Sequence, residues 1–251
     1  MLPEMMSVAF LGGTLALDRN VGWSLMLSQP LVGACLAGIL LAPGSDIEIW
    51  ALRIPLGIGA ILQLLLTDAS LPAAQRPHDT ATAGVVGTSV ALLGMGHIDH
   101  DLAASASGLF WIVVGVAAGL LSAIAGGWVG RLHRARSRGD VARADRLAET
   151  GAVAAFERLY WGGILRSFAL GAFWAWGASL LGVALLMACV PNLVAAATGP
   201  RVGFVFAALT GAGLAAGFHA HVRGRPKAWR WLALGVIVTL VLTTVLFRGA
   251  A

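Results

Sequence analysis

The chain has 251 residues, of which 58% are hydrophobic and only 12% charged, with a mean hydropathy of +0.83. Soluble domains carry roughly 25% charged residues, so the composition excludes an ordinary soluble enzyme and implies an all-α integral membrane protein. The formal net charge is +5. It falls unevenly, because the N-terminal part holds Arg19, Arg53 and Arg76 as its only bases and every other Lys and Arg lies from Arg131 onward. Such clustering reads as membrane topology, since cytoplasmic loops collect Lys and Arg, and not as a nucleic-acid partner.

The start, MLPEMMSVAF, carries Glu4 and no basic residue, so a cleavable signal peptide is not expected. Met5 to Leu17 is a short apolar run closed by Asp18-Arg19-Asn20. It falls short of the roughly 20 residues a span needs and reads as a re-entrant, tilted or half-helical piece. Trp23 to Ala42 follows, interrupted by Ser28-Gln29-Pro30, and Pro43-Gly44-Ser45-Asp46 is a turn.

The stretch 47–79 is the chemically loaded one. It carries Glu48, Arg53 and Gln63, is punctuated by Pro55, Gly57 and Gly59, and runs into Asp68, His78 and Asp79. Polar groups and irregular backbone at membrane depth survive only inside protein or beside a watery cavity. Broken or re-entrant helices in the N-terminal half are therefore predicted to line a pathway, with Gln63, Asp68, His78 and Asp79 as candidate substrate contacts. For Gln63 the alternative is a bond to a carbonyl freed by Pro55; for Asp68 and Asp79 it is a place in a loop or turn cap. Glu48 and Arg53 read as a structural pair or as interfacial charges.

Thr80 to Met95 is rich in Gly, Ala and hydroxyl residues, which predicts tight burial. Gly96-His97-Ile98-Asp99-His100-Asp101 holds two imidazoles and two carboxylates, yet a polar loop between spans explains it better than a metal site, and no metal or cofactor is implied. Cys35 and Cys189 lack CxxC companions and read as small core residues. Gly115/Gly119, Gly126/Gly130 and Gly213/Gly217 have the small-residue spacing used in helix packing.

Gly108 to Gly130 is the cleanest span. Arg131, Arg134, Arg136, Arg138, Arg143 and Arg146 follow at once and place the next segment in the cytoplasm. Val141, Ala144 and Ala148 recur at helical spacing and Thr150-Gly151 interrupts the run, predicting two short amphipathic helices lying at the membrane face or against a partner. Gly162 to Val190 is a second long span, Pro191 to Arg201 a turn, Val202 to Phe218 a span, and Leu232 to Phe247 the last. The basic run from Arg223 to Arg230 returns the chain to the cytoplasm. The organisation is one membrane domain over 1–251: an N-terminal half over 1–130, a cytoplasmic loop over 131–160, and C-terminal spans over 161–251. No nucleotide or triad motif is present, so no catalytic residue is assigned.

Several motifs occur together in order. They are Leu17-Asp18-Arg19, Ser28-Gln29-Pro30-Leu31-Val32, Gly59-Ala60-Ile61-Leu62-Gln63-Leu64, Pro77-His78-Asp79, Arg143-Ala144-Asp145-Arg146 and Phe156-Glu157-Arg158-Leu159. In order and spacing this set resembles the membrane subunit IIC of the mannose/fructose/sorbose family of bacterial phosphotransferase systems. The resemblance implies a polytopic subunit of the bacterial inner membrane that pairs with a IID subunit and forms a sugar pathway. It also implies cytosolic IIA and IIB partners that carry the phosphoryl group on their own histidines, a homotrimer, and an elevator-like movement of a core domain. None of His78, His97, His100, His133, His219 or His221 is then a phosphohistidine. Arg134, Arg138, Arg143 and Arg146 become candidates for docking IIB or IID, with lipid head groups as the alternative. Gln63 stands where the family has Glu, and the first Pro of the family's Pro-Pro-Asp turn is not matched cleanly in Pro77-His78-Asp79. The Gln63 exchange also admits a subunit that keeps the fold as a non-transporting scaffold or sensor.

Overall fold

The computed structural model describes residues 2–21, 27–41, 49–66, 79–97, 108–197 and 200–222. These form seven helices and, among the described residues, no strand. The helices are α1 (Leu2–Val21), α2 (Pro30–Leu41), α3 (Ile49–Leu66), α4 (Thr80–His97), α5 (Gly108–Glu149), α6 (Val153–Ala197) and α7 (Pro200–Val222). Two of them, α5 and α6, are long and apolar enough to cross a membrane. The predicted all-α bundle is the fold observed.

α4 is the hub, packed against α1, α2, α3, α5 and α6. Most of its positions are buried, from Thr80 through Gly94, as its small side chains predict. Helices with no hydrophobic drive between them associate by close packing of small residues. At Gly84 an added Cβ would meet the Pro30 carbonyl of α2, and at Gly87 that of Gly115 in α5. Gly12 and Gly171 make the same backbone approach between α1 and α6. Of the spaced pairs, Gly115 and Gly119 both face α3 and α4, Gly126 faces Asp79 and Trp174, and Gly213 faces Leu64. Larger apolar residues complete the core around this seam, among them Trp111, Leu15, Ile58 and Leu62, all fully buried.

Four expectations about segment boundaries change. The helix of α1 does not stop where its apolar run does; it continues through Asp18 to Val21, because no Gly or Pro in Asp18-Arg19-Asn20 interrupts the backbone. Pro55, Gly57 and Gly59 lie inside one continuous helix. Pro55 is fully buried there, and the glycines serve close approach: a Cβ at Gly57 would stand 2.7 Å from Ile112 Cδ1, and one at Gly59 2.8 Å from Leu31 Cα. The Arg-rich segment is not a pair of short helices lying on a membrane. Residues 131–149 prolong α5 and residues 153–161 begin α6, so the segment is a helical hairpin continuous with both spans. Finally, α6 runs through Pro191 to Ala197, where a turn was predicted.

The predicted break at Thr150-Gly151 is present. Gly151 has φ 65°, its N–H donates to the Ala148 carbonyl at 3.2 Å, and Ala152 N–H reaches back to Leu147 at 3.0 Å. This is a Schellman closure, in which glycine supplies the left-handed conformation that ends a helix. The predicted last span, 232–247, lies outside the described residues.

Candidate functional site

The α5 stretch 108–130 covers about 34 Å at about 1.5 Å per residue, close to a hydrocarbon core of about 30 Å. Gly119 marks its middle. A Cβ there would meet Leu62 Cδ1 at 2.6 Å and the Ala83 carbonyl at 2.8 Å, so Gln63, Ala83 and Gly84 share that level with it. Pro30, whose carbonyl rests on Gly84, is there too. The 12-residue α2, about 18 Å long, therefore begins, and α3 approaches its end, near the half-depth of the two long helices.

Two side-chain bonds tie this layer together. Gln63 Nε2 donates to Gln29 Oε1, joining the end of α3 to the residue before α2. Ser28 N–H donates to Asp18 Oδ2 at 2.9 Å, joining the same entry to the end of α1, with Asp18 itself buried. Neither Asp18 nor Gln29 was singled out from sequence as a site residue, although both stand in the motifs that carry the resemblance. A carboxylate and two primary amides provide acceptors and donors suited to hydroxyl groups. The Gln29 amide is a side-chain partner of Gln63 that spacing along the chain did not disclose.

Asp79 performs a different task. It is the N-cap of α4, where Oδ1 accepts from Ala81 N–H at 3.1 Å and Oδ2 from the Thr82 hydroxyl at 3.0 Å. Its own N–H donates to the Ala123 carbonyl of α5 at 2.9 Å. A short polar side chain just before a helix satisfies first-turn N–H groups that otherwise lack partners. Asp68, His78 and Glu48 lie outside the described residues, as do Asp99, His100 and Asp101. His97 closes α4, its Nδ1 2.8 Å from the Leu93 carbonyl.

Beyond the bilayer-length stretch, α5 and α6 continue as the basic hairpin. Arg138, Arg143 and Arg146 are exposed on it, and Arg166 pairs with Asp140 at 2.7 Å across the two helices. At its base a cleft is lined by Asp79, Gly126, Gly130, His133, Arg134, Ser167 and Trp174, among others. Its cavity volume of about 30 Å³ has room for about two waters. His133 Nε2 and Ser167 Oγ share a hydrogen bond across 3.3 Å. Burial first, then the guanidinium charges of Arg166 and Arg134, hold His133 below its ordinary value, with Asp140 opposing. Sequence reasoning took Asp79 and Arg134 from this cleft, each for a different role; His133, Ser167 and Trp174 meet only through the hairpin's antiparallel pairing, which spacing does not reveal.

Taken together, the described residues form an all-helical bundle with two membrane-length helices and a hydrogen-bonded polar layer at the half-depth of the apolar stretch of α5. No family model matches it, and no curated protein matches it. Among solved structures it is similar to a chain in a cryo-EM structure of the mannose transporter ManYZ in complex with microcin E492, at 16% identity and a TM-score of 0.49, over 100% of this chain and 94% of that one.

Proposed function

We propose that this chain is a sugar-translocating subunit of the IIC type, which passes a hexose-type sugar across the bacterial inner membrane for phosphorylation by a cytosolic IIB partner. One observation carries the reading. Asp18, Ser28, Gln29 and Gln63, dispersed through the motif-bearing sequence, are linked in two hydrogen bonds where α2 starts and α3 nears its end. Helix termini that meet near the bilayer midplane are where transporters place substrate.

In this reading Gln63 and Asp18 offer polar groups to sugar hydroxyls, and Asp68 and His78 complete the pathway. Asp79 fixes the mouth of α4 beside it. The exposed Arg138, Arg143 and Arg146 dock a cytosolic IIB or a membrane IID partner, and Arg134 stands where the hairpin meets the bilayer. The phosphoryl group travels on partner histidines, so this chain needs no cofactor, and its copies assemble as a trimer.

The second reading is a non-transporting scaffold or sensor, and the Gln63–Gln29 bond favours it: the amide donor is already engaged within the chain, where the family's Glu is an acceptor only. Uptake of radiolabelled hexoses by cells carrying this subunit and a IID partner separates the two. Label that arrives phosphorylated and is lost on Gln63→Ala supports group translocation. No uptake from a complex assembled in the membrane supports the scaffold, and unphosphorylated accumulation indicates a secondary carrier.

A further inference from the structure

The cleft at the base of the hairpin lies where the bilayer-length stretch of α5 ends. Trp128 is exposed there, with the Arg131 guanidinium 4.5 Å over its ring; aromatic and basic side chains gather at head-group level. Within the cleft, Arg134 folds back by one turn. Its Nη1 comes to 3.4 Å from where a Gly130 Cβ would stand, so the guanidinium covers the cleft side of its own helix at the membrane end.

Two further outward donors meet there, one from the Ser167–His133 pair and one from Trp174. The Ser167 hydroxyl, on a buried residue, and the His133 ring are bonded to each other. Trp174 Nε1 is buried and has no hydrogen-bond partner among the described residues. That indole N–H stands 2.7 Å from the position a Gly126 Cβ would take, and Asp79 Oδ2 stands 3.0 Å from the same point. Any side chain at Gly126 would fill the space between them. An indole N–H only donates, and a buried donor left unmade is costly, so an acceptor belongs in this cleft.

Asp79 limits where that acceptor sits. Its carboxylate is held by the α4 cap and Thr82 and repels a second anion from the base, where the small cavity suits water bridging Trp174 to Asp79. Arg134 at the mouth is the cationic anchor. Val129 and Leu170 in the same lining supply apolar wall on the membrane side.

We infer that this cleft binds a phosphate group, that of an anionic phospholipid of the inner leaflet, with Arg134 and the outward donor of the His133–Ser167 pair on the phosphate oxygens and Trp174 reached through water. Basic pockets between helices on the cytoplasmic side recognise lipid head groups in this manner. The inference rests on the membrane placement proposed above and not on sugar transport.

The test is native mass spectrometry of the full chain in detergent with phosphatidylglycerol, with phosphatidylcholine, and with inorganic phosphate. Wild type retains phosphatidylglycerol over phosphatidylcholine, and Arg134→Gln lowers that retention about ten-fold, the loss of one charge-assisted bond. Arg136→Gln, on an exposed side chain of the same helix, leaves it intact. Phosphatidylglycerol displaced by inorganic phosphate, with a phosphate adduct lost in Arg134→Gln, sustains the phosphate site and assigns it to a soluble source. Equal retention of the two lipids, or equal losses in both variants, overturns the site. A chain that stays soluble without detergent instead overturns the membrane placement.

Discussion

Gln63 and Gln29 stand 34 residues apart and share a side-chain hydrogen bond, which fixes the end of α3 to the entry of α2 within the bundle. If this pair belongs to the sugar pathway, each amide also serves a hydroxyl in transit. Gln63→Ala and Gln29→Ala then each lower uptake of labelled hexose by about ten-fold, the effect of removing one hydrogen-bonding partner from a buried polar site. The double variant falls short of the product of the two, because residues sharing one bond are not additive. Initial uptake rates, normalised to subunit in the membrane, measure this.

Asp79 separates capping from charge. Asn caps a helix as well as Asp does, so Asp79→Asn keeps the start of α4 and loses only the charge–dipole part, about 0.5 kcal/mol. Asp79→Ala loses the bonds to Ala81 and to the Thr82 hydroxyl, at about 1–2 kcal/mol. Thermal unfolding in detergent gives the order wild type, Asn, Ala. Ala matching Asn would show that the cap contributes nothing.

Glycine substitutions divide by what stands beside them. A Cβ at Gly84 runs into the Pro30 carbonyl and comes within 2.9 Å of Ala34 N. Both are backbone atoms and neither can yield, so Gly84→Ala destabilises by about 1–3 kcal/mol through forced separation of α2 from α4. Gly139 has open space around its Cβ position and lies inside α5. There Gly139→Ala stabilises by about 0.5–1 kcal/mol, through helix propensity. Opposite signs in the same unfolding assay are the expected result.

How far this was legible in the sequence depends on which physics each residue reports. Hydropathy located the membrane-length stretch of α5 and the burial of α4, because both follow from side-chain chemistry summed over a window. It misplaced helix ends. Arg131 marks where apolar surface stops, yet nothing in RLHRARSRGDVARADRLAE interrupts backbone bonding, so α5 runs on to Glu149. Thr150-Gly151 was readable as a break because glycine acts on the backbone itself. Pro55 acts there too, but its single missing N–H did not end α3. In the site, Gln63 was visible as a polar residue in an apolar run. Its partner Gln29, and the meeting of His133, Ser167 and Trp174, depend on which helices become neighbours, which no local pattern encodes.

His133 makes stability depend on pH. Burial and the Arg166 and Arg134 charges lower its folded-state value beneath the ordinary one of 6.5, against the opposing pull of Asp140. In the unfolded chain it takes up a proton near that ordinary value, while the folded chain resists. Its contribution is therefore fully present above pH 6.5 and is lost as pH falls from there through the folded value. His133→Gln flattens this part of the profile. Unfolding temperatures of both proteins between about pH 5 and 8 measure the difference, which narrows toward the acid end.

The hairpin supplies the last prediction. Residues 131–149 add about 28 Å of helix past the bilayer-length stretch, so Arg138, Arg143 and Arg146 stand progressively farther from the head-group layer that begins near Arg131. Screening confines lipid attraction to within about 8–10 Å of a charged surface; Arg138 stands near that limit, and Arg143 and Arg146 stand beyond it. Arginines at that distance act on a soluble partner or on nothing. Replacing all three with Gln leaves insertion and unfolding temperature close to wild type, since exposed charges contribute little to stability. It lowers phosphorylated sugar uptake by about ten-fold or more if the hairpin docks the phosphocarrier, because rim charges govern association rate. Restoration of uptake by overproducing the phosphocarrier identifies a docking defect; an unchanged rate with normal insertion removes the hairpin from the docking surface.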